Sequence, residues 1–286
     1  MKTYNEIYLD ARRKLRAMGI TANDLEARLI VSHAAGKSRE AYLASSRFYV
    51  TDSSIERAVN DMIERRRKGE PVAYLVGEWE FYGLPIVVDE SVLIPRMDTE
   101  VLAEASIAQL KRRGWQTRVL DLCAGSGCIG LAIAANVPNC RVVLADISEH
   151  ALSVCRQNML KNSLSRQITA IEADATGIPP ALLGRFDMIV SNPPYIPTRD
   201  IETLDPSVRD YEPLLALDGG PDGLYFIRAI ASNWPTLLKP SGVLALECGI
   251  GQAAAVREIM EDNGFKDIKT HTDTGGVERV VVGTLK

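Results

Sequence analysis

The sequence predicts an α/β protein: a seven-stranded, mostly parallel sheet covered by helices, preceded by a small helical domain and a β-hairpin linker. Three observations carry this. Apolar residues at helical spacing fill residues 4–68, and short strand-like runs alternate with helix-like ones from residue 118 onward. Those strand runs are continuously apolar rather than alternating, as strands buried on both faces require. The chain has 286 residues, enough for two domains, since single cores stop growing near roughly 250–300 residues. We divide it at 1–70, a helical domain, 71–92, a hairpin linker, and 93–286, the α/β domain.

Taken in order, Ile7, Ala11, Leu15 and Met18 recur on one helical face. Thr21 with Asp24 reads as a capping box opening a helix over 22–35, which Gly36 closes. Ser53 opens the next helix through Ile55, Val59, Met62 and Ile63, and Gly69 stops it. About four helices make a small bundle. From Pro71 the period changes, and 72–76, 78–82 and 85–88 read as short strands around Gly77 and Gly83. A helix is expected over 99–113. Strands follow at 118–122, 141–145, 168–172, 186–191, 243–247, 267–271 and 278–283, with helices at 127–136, 151–161, 222–238 and 252–263 between them.

Composition excludes several classes. With 46% apolar and 24% charged residues the chain is an ordinary globular protein, not a disordered one. Its longest apolar runs, such as 128–135, fall far short of the ~18–20 residues of a membrane span. The start, MKTYNEIYLDARRKL, lacks the apolar stretch of a secretory signal. Five cysteines without metal-site spacing read as free thiols in a cytoplasmic protein, with no metal. A net charge of −4 argues against direct nucleic-acid binding. The charge is uneven: residues 1–70 carry net +4 and the remainder net −8. The run Arg65, Arg66, Arg67, Lys68 reads either as a solvated helix end suited to the helix dipole or as a docking face for an acidic partner.

Residues 119–130, VLDLCAGSGCIG, form a strand, a tight turn and a helix start, with Gly125, Gly127 and Gly130 in G-x-G-x-x-G spacing. Asp146 follows at the end of the next strand. Alone this fits a dinucleotide fingerprint, and it also fits a purely structural turn. Asp121, at the tip of the first strand, shifts the balance, because it repels a pyrophosphate and favours a ligand with a cationic ammonium or sulfonium end. S-adenosylmethionine (AdoMet) has both cations and no phosphate. Asp146 then accepts from the ribose hydroxyls. Asp174, at the tip of the third strand, is read as accepting from the adenine amino group or as a turn or helix cap.

The segment Ser191-Asn192-Pro193-Pro194-Tyr195 ends a buried strand abruptly. Two prolines stiffen the backbone and surrender their N–H groups, leaving carbonyl acceptors. Asn192 adds a side-chain acceptor and Tyr195 a flat apolar face. Together they suit a planar NH2 group conjugated to a carbonyl or ring.

These motifs resemble a class I AdoMet-dependent methyltransferase acting on amino nitrogen. DNA adenine-N6, rRNA guanine-N2 and protein glutamine-N5 branches share the Asn-Pro-Pro-Tyr tip. The stretches 94–100 (IPRMDTE), 208–213 (VRDYEP), 217–224 (LDGGPDGL), 247–252 (ECGIGQ) and 279–281 (RVV) select the last. With the helical N-terminal part, the chain resembles the HemK/PrmC family of peptide-chain release factor N5-glutamine methyltransferases over roughly residues 5–283. It departs from the family pattern at Cys123-Ala124, where Gly-Thr is commoner, and at Met97-Asp98, where Pro-Glu or Pro-Asp is usual.

The resemblance implies a Rossmann-like methyltransferase domain, AdoMet as cofactor and a release factor as protein substrate, with a monomeric enzyme. It implies cofactor contacts from Asp121, Cys123, Ala124, Gly125, Ser126, Gly127, Asp146, Ile147, Asp174, Ala175 and Asn192. It implies substrate binding by Asn192, Pro193, Pro194 and Tyr195, with Asn192, Pro193 and Tyr195 catalytic. The three histidines, 33, 150 and 271, lie away from these motifs in sequence, so no strong base is expected. A nucleic-acid base methyltransferase, a different protein glutamine as target, and a non-catalytic binding module are the alternatives. The first lacks a basic groove in a half of net −8, and the last leaves the intact Asn-Pro-Pro-Tyr tip without a use.

Overall fold

Amphipathic helices open the chain because their apolar residues share one face and need a common core. In the computed structural model, which describes residues 1–113 and 116–286, they are α1 (Tyr4–Ala17), α2 (Asn23–Ala34), α3 (Arg39–Ser45) and α4 (Ser53–Arg67). Leu15, Ile30 and Ile63 lie fully inside. Two caps differ from expectation. No side chain caps α2; Asp24 instead accepts from the Tyr8 hydroxyl and pairs with Arg28 at 3.0 Å. A capping box forms at α1, between Thr3 and Glu6. At α4 the cap is Asp52, which accepts from the Ser54 N–H.

Residues Val72–Val76, expected as a strand, form α5. Five apolar residues are too few for periodicity to separate strand from helix. Packing decides it: Val72, Ala73 and Leu75 are buried, Pro71 caps the turn and Gly77 closes it at φ 70. The expected hairpin follows as β1 (Glu78–Phe81) and β2 (Leu84–Val87). Tyr82 and Gly83 turn it, both at positive φ, as two-residue hairpin turns require.

The alternation beyond is α6 (Glu100–Lys111), β3 (Arg118–Leu122), α7 (Cys128–Asn136), β4 (Arg141–Asp146), α8 (Glu149–Lys161), β5 (Ile168–Glu172) and β6 (Phe186–Ser191). After α9 (Pro206–Arg209) come α10 (Tyr225–Asn233), β7 (Leu238–Glu247), α11 (Ala253–Asp262), β8 (Phe265–Thr272) and β9 (Glu278–Leu285). The helix expected over 222–238 ends at Asn233 because Pro235 has no N–H and its ring obstructs a continuing turn. Trp234–Leu237 is a 3₁₀ turn, and β7 begins at Leu238 rather than 243.

The seven strands form one sheet in the order β5-β4-β3-β6-β7-β9-β8. The first five are mutually parallel, and β9 runs antiparallel to both of its neighbours, β7 and β8. Strand order reverses between β3 and β6, which opens a crevice at the carboxyl ends of the strands. Register sets Leu122 beside both Ala145 and Ser191, so three strands end level at that crevice. Helix α7 is buried almost all round, from Cys128 through Ala134.

The described residues form two compact units, 1–78 with 205–211, and 79–204 with 212–286. Within the first, the Tyr211 hydroxyl donates to the Lys68 carbonyl at 2.9 Å. Among the described residues no helix is long and apolar enough to cross a membrane.

Candidate active site

Between β3 and α7 only residues 123–127 reverse the chain, and Cys123, Gly125 and Gly127 take positive φ to do so. A Cβ on Gly127 would meet Leu144 Cδ1 at 2.8 Å, and one on Gly130 would meet Leu144 and Val142. These glycines let α7 approach β4 closely, a packing cause that needs no phosphate. Asp121 lies beneath the loop, fully buried, and does not line the cavity above it, contrary to expectation. Its Oδ2 accepts the Gly130 N–H at 2.8 Å. Burial pushes its pKa up to about 7. Asp121 thus disfavours a pyrophosphate by occupying a helix N-terminal donor, not by facing the ligand.

A cavity of about 480 Å³ opens over the loop, within the range of small-molecule sites. Its wall includes Cys123, Ala124, Gly125 and Ser126, then Asp146 and Ile147, Asp174 and Ala175, and Asn192 and Pro194. Asp146 accepts the Gly125 N–H at 2.8 Å and the Ser148 N–H at 2.9 Å. Burial raises its pKa, while backbone N–H groups of Ser148, Gly125 and Ile147 hold it down. A carboxylate has further lone pairs for a ligand's hydroxyls. Asp174 serves its turn, with Oδ1 accepting from both N–H and hydroxyl of Thr176, and it also borders the cavity. The Trp234 indole pins that loop by donating to the Ala175 carbonyl at 2.8 Å. His150 also lines the cavity, contrary to the sequence reading; the first turn of α8 carries it there.

The Asn-Pro-Pro-Tyr tip follows β6. The Ser191 hydroxyl ties the strand end to the Leu122 carbonyl at 2.7 Å. Asn192 borders the cavity, and its Nδ2 donates to Thr99 Oγ1 at 3.3 Å. Pro193 is buried and, like Tyr195, is not among the residues lining the main cavity. The Tyr195 ring turns elsewhere: its hydroxyl donates to Glu247 Oε1 at 3.3 Å, and burial pushes its pKa up. Gln252 clamps the tip from the 247–252 stretch, donating to the Tyr195 carbonyl at 2.9 Å and accepting the Gly249 N–H at 2.8 Å. From 217–224, Gly219 abuts the Pro194–Tyr195 backbone so closely that a Cβ would lie 2.7 Å from Tyr195 Cα.

Sequence reasoning assigned no role to Thr99, Glu212 or Glu247, though each lies in a quoted stretch. Glu212 accepts from the Arg96 guanidinium and from the Ile94 N–H at 3.1 Å, holding the 94–97 segment, whose Pro95 and Arg96 line the cavity. Arg279 pairs with Asp98 and Asp273, each at 2.8 Å. No local pattern marks these residues, because their partners lie far away in sequence.

The groups present fit AdoMet: the Asp146 carboxylate for a ribose, apolar walls at Ile147 and Ala175, and a helix donor closed to phosphate. Known proteins agree. The Methyltransferase small domain family matches residues 98–204 and the PrmC N-terminal domain family residues 6–77. A release factor glutamine methyltransferase of Geobacter sulfurreducens is 44% identical, over 80% of this chain and 78% of that protein. One from Agrobacterium fabrum is 37% identical over 95% and 93%. Among solved structures, the hMettl16 catalytic domain in complex with MAT2A 3′UTR hairpin 1 superposes with TM-score 0.60 at 15% identity, over 90% of this chain and 91% of that one. That likeness establishes the class I methyltransferase fold alone. From the sequence relatives and the two matched domains together, the chain belongs to the family of release factor glutamine methyltransferases.

Proposed function

We propose that this protein transfers a methyl group from AdoMet to the side-chain amide nitrogen of the glutamine in the Gly-Gly-Gln motif of a peptide-chain release factor, as a monomer in the cytoplasm. The observation that carries the reading is Asn192 on the wall of the same cavity as Asp146. AdoMet, when bound, supplies an electrophilic methyl group. Asp146 holds the ribose hydroxyls and the 174–175 turn borders the adenine. Asn192 Oδ1 and the Pro193 carbonyl accept the two amide hydrogens. Both acceptors gain strength as the nitrogen gains positive charge, so they bind the transition state better than the ground state. Positioning supplies the rest, and the proton leaves to water after transfer. The Cys123 and Cys128 thiols stay protonated, since desolvation raises the pKa of both. Tyr195 braces the tip through Glu247 rather than offering a stacking face to the cavity. The names of the sequence relatives support the substrate. Mass spectrometry of a release factor incubated with the protein and AdoMet tests the whole reading. One methyl group on the Gly-Gly-Gln glutamine is expected, and its absence with AdoMet bound would overturn it.

A further inference from the structure

We infer that Gln252 is a positioning residue that holds the Asn-Pro-Pro-Tyr tip in place for methyl transfer. This rests on the proposed reaction, in which Asn192 and the Pro193 carbonyl hold the substrate amide. Gln252 directly precedes α11 and is not among the residues lining the cavity. Its amide reaches across to the tip, where Nε2 donates to the Tyr195 carbonyl at 2.9 Å. Among the described residues no other side chain hydrogen-bonds the backbone of 192–195.

The direction of this amide is fixed. Its donor and acceptor ends have equal shape, and only partners distinguish them. Oε1 accepts the Gly249 N–H at 2.8 Å, and the Gln252 N–H returns a bond to the Gly249 carbonyl at 3.1 Å. A backbone N–H cannot accept, so Nε2 is the end left for Tyr195. Two glycines pack on the bond. A Cβ on Gly223 would lie 2.3 Å from the Tyr195 oxygen and 2.5 Å from Gln252 Nε2. One on Gly249 would lie 3.0 Å from Gln252 Oε1 and 3.3 Å from Tyr195 Cδ2.

The chemistry of the tip explains why it needs a brace. Pro193 and Pro194 have no N–H, so neither can donate to a neighbour. Beyond them Ile196 is tied on both sides: its N–H donates to the Leu217 carbonyl at 3.1 Å, and its carbonyl accepts the Gly219 N–H at 2.8 Å. At the other end the Ser191 hydroxyl holds the Leu122 carbonyl. Between these anchors Tyr195 is gripped twice, by Gln252 at its carbonyl and by Glu247 at its hydroxyl. With φ locked at both prolines, a shift of the Tyr195 peptide passes to the Pro193 carbonyl and to Asn192 instead of being absorbed between them.

Two substitutions and one spectroscopic measurement test the brace. Gln252→Glu keeps the acceptor for the Gly249 N–H and sets an oxygen against the Tyr195 carbonyl. Gln252→Met removes both bonds at similar length, and it alone carries the rate test should the Glu variant not fold. Each is expected to slow single-turnover methylation of release factor roughly 10- to 100-fold, the scale of a small misplacement of a positioning group. AdoMet affinity, read by calorimetry, stays unchanged. Neither adds much to Asn192→Ala, because the brace acts only through the tip, whereas a general loss of stability would multiply the two defects. NMR reads the bond itself. Tyr195 is the one tyrosine of nine that isoleucine follows, so carbonyl-carbon-13 tyrosine with nitrogen-15 isoleucine yields a single correlation through the Ile196 N–H. Its carbonyl resonance lies in the hydrogen-bonded range in wild type and moves upfield in both variants. A wild-type resonance in the unbonded range overturns the inference without any variant, as do native rates in the folded variants or defects that multiply with Asn192→Ala. If Asn192→Ala alone runs at the native rate, the amide-cradle reading fails first; a crippled Asn192→Ala beside a normal Gln252→Met sinks the brace alone.

Discussion

Asn192 offers the sharpest test at the scale of one residue. Asn192→Ala removes an acceptor aimed at the reacting nitrogen and is expected to cost ~10²–10³ in methyl-transfer rate, with far less change in AdoMet affinity. Asn192→Asp keeps the shape and adds a negative charge. It should lower kcat without loss of AdoMet binding, which single-turnover rates beside cofactor titrations separate. A native rate in Asn192→Ala would end the cradle hypothesis. Asp146→Ala should weaken AdoMet by roughly 1.5–3 kcal/mol, the scale of hydrogen bonds to a charged group. Calorimetry with AdoMet and with NAD checks this, and tight NAD binding without AdoMet binding would contradict the assignment. Asp146 and Asn192 stand out in the chain because one ends β4 and the other follows β6, each in a short, distinctive context. Glu247 and Thr99 do not, since their hydrogen-bond partners Tyr195 and Asn192 lie 52 and 93 positions away.

At the scale of the element, the β3–α7 unit is a close-packed joint. Gly130→Ala puts a methyl against Leu144, Val142 and the Asp121 carboxylate, and overpacking of this kind costs about 1–3 kcal/mol. A lowered unfolding midpoint is expected; an unchanged one would mean the joint yields freely. Asp121 gives the pH arm. Its folded pKa is raised from 3.8 to about 7 by burial. The folded state therefore holds a proton that the unfolded state releases, and stability from this group is full below the unfolded value and lost as pH rises through about 7. Asp121→Asn cannot titrate, so it should gain stability relative to wild type between pH 4 and 8, read as Tm differences. A constant difference across that range would refute the assignment. The α5 segment teaches the opposite lesson about legibility: its apolar run allowed strand or helix, and burial of Val72, Ala73 and Leu75 chose helix.

For the whole molecule, the question is what the net positive charge of the N-terminal region does. The arginine run is not a free patch. Arg66 pairs at 2.8 Å with Glu26, which is nearly buried, so it is structural. Arg65 and Arg67 form more exposed pairs with Glu70 and Glu64, and such pairs contribute little to stability. Reversing Arg65 and Arg67 together should slow methylation of intact release factor at low salt, and less so at high salt where surface charge is screened. AdoMet affinity should not move. An unchanged low-salt rate would leave these arginines as a solvated helix end.

Local chain chemistry was enough to identify the strands of the sheet, the glycine turn, the carboxylate at the end of β4 and the proline-rich tip after β6. Each depends on neighbours within a few residues: an apolar run, a positive φ, a proline's missing N–H. Other features depended on distant segments meeting. Folding buried Asp121 under the loop and on the Gly130 N–H, turned Tyr195 from the cavity to Glu247, brought His150 to the cavity wall, and joined 205–211 to the helical unit. A side chain's partner is chosen by which strand ends lie level, and strand register is a property of the packed sheet rather than of any stretch of sequence.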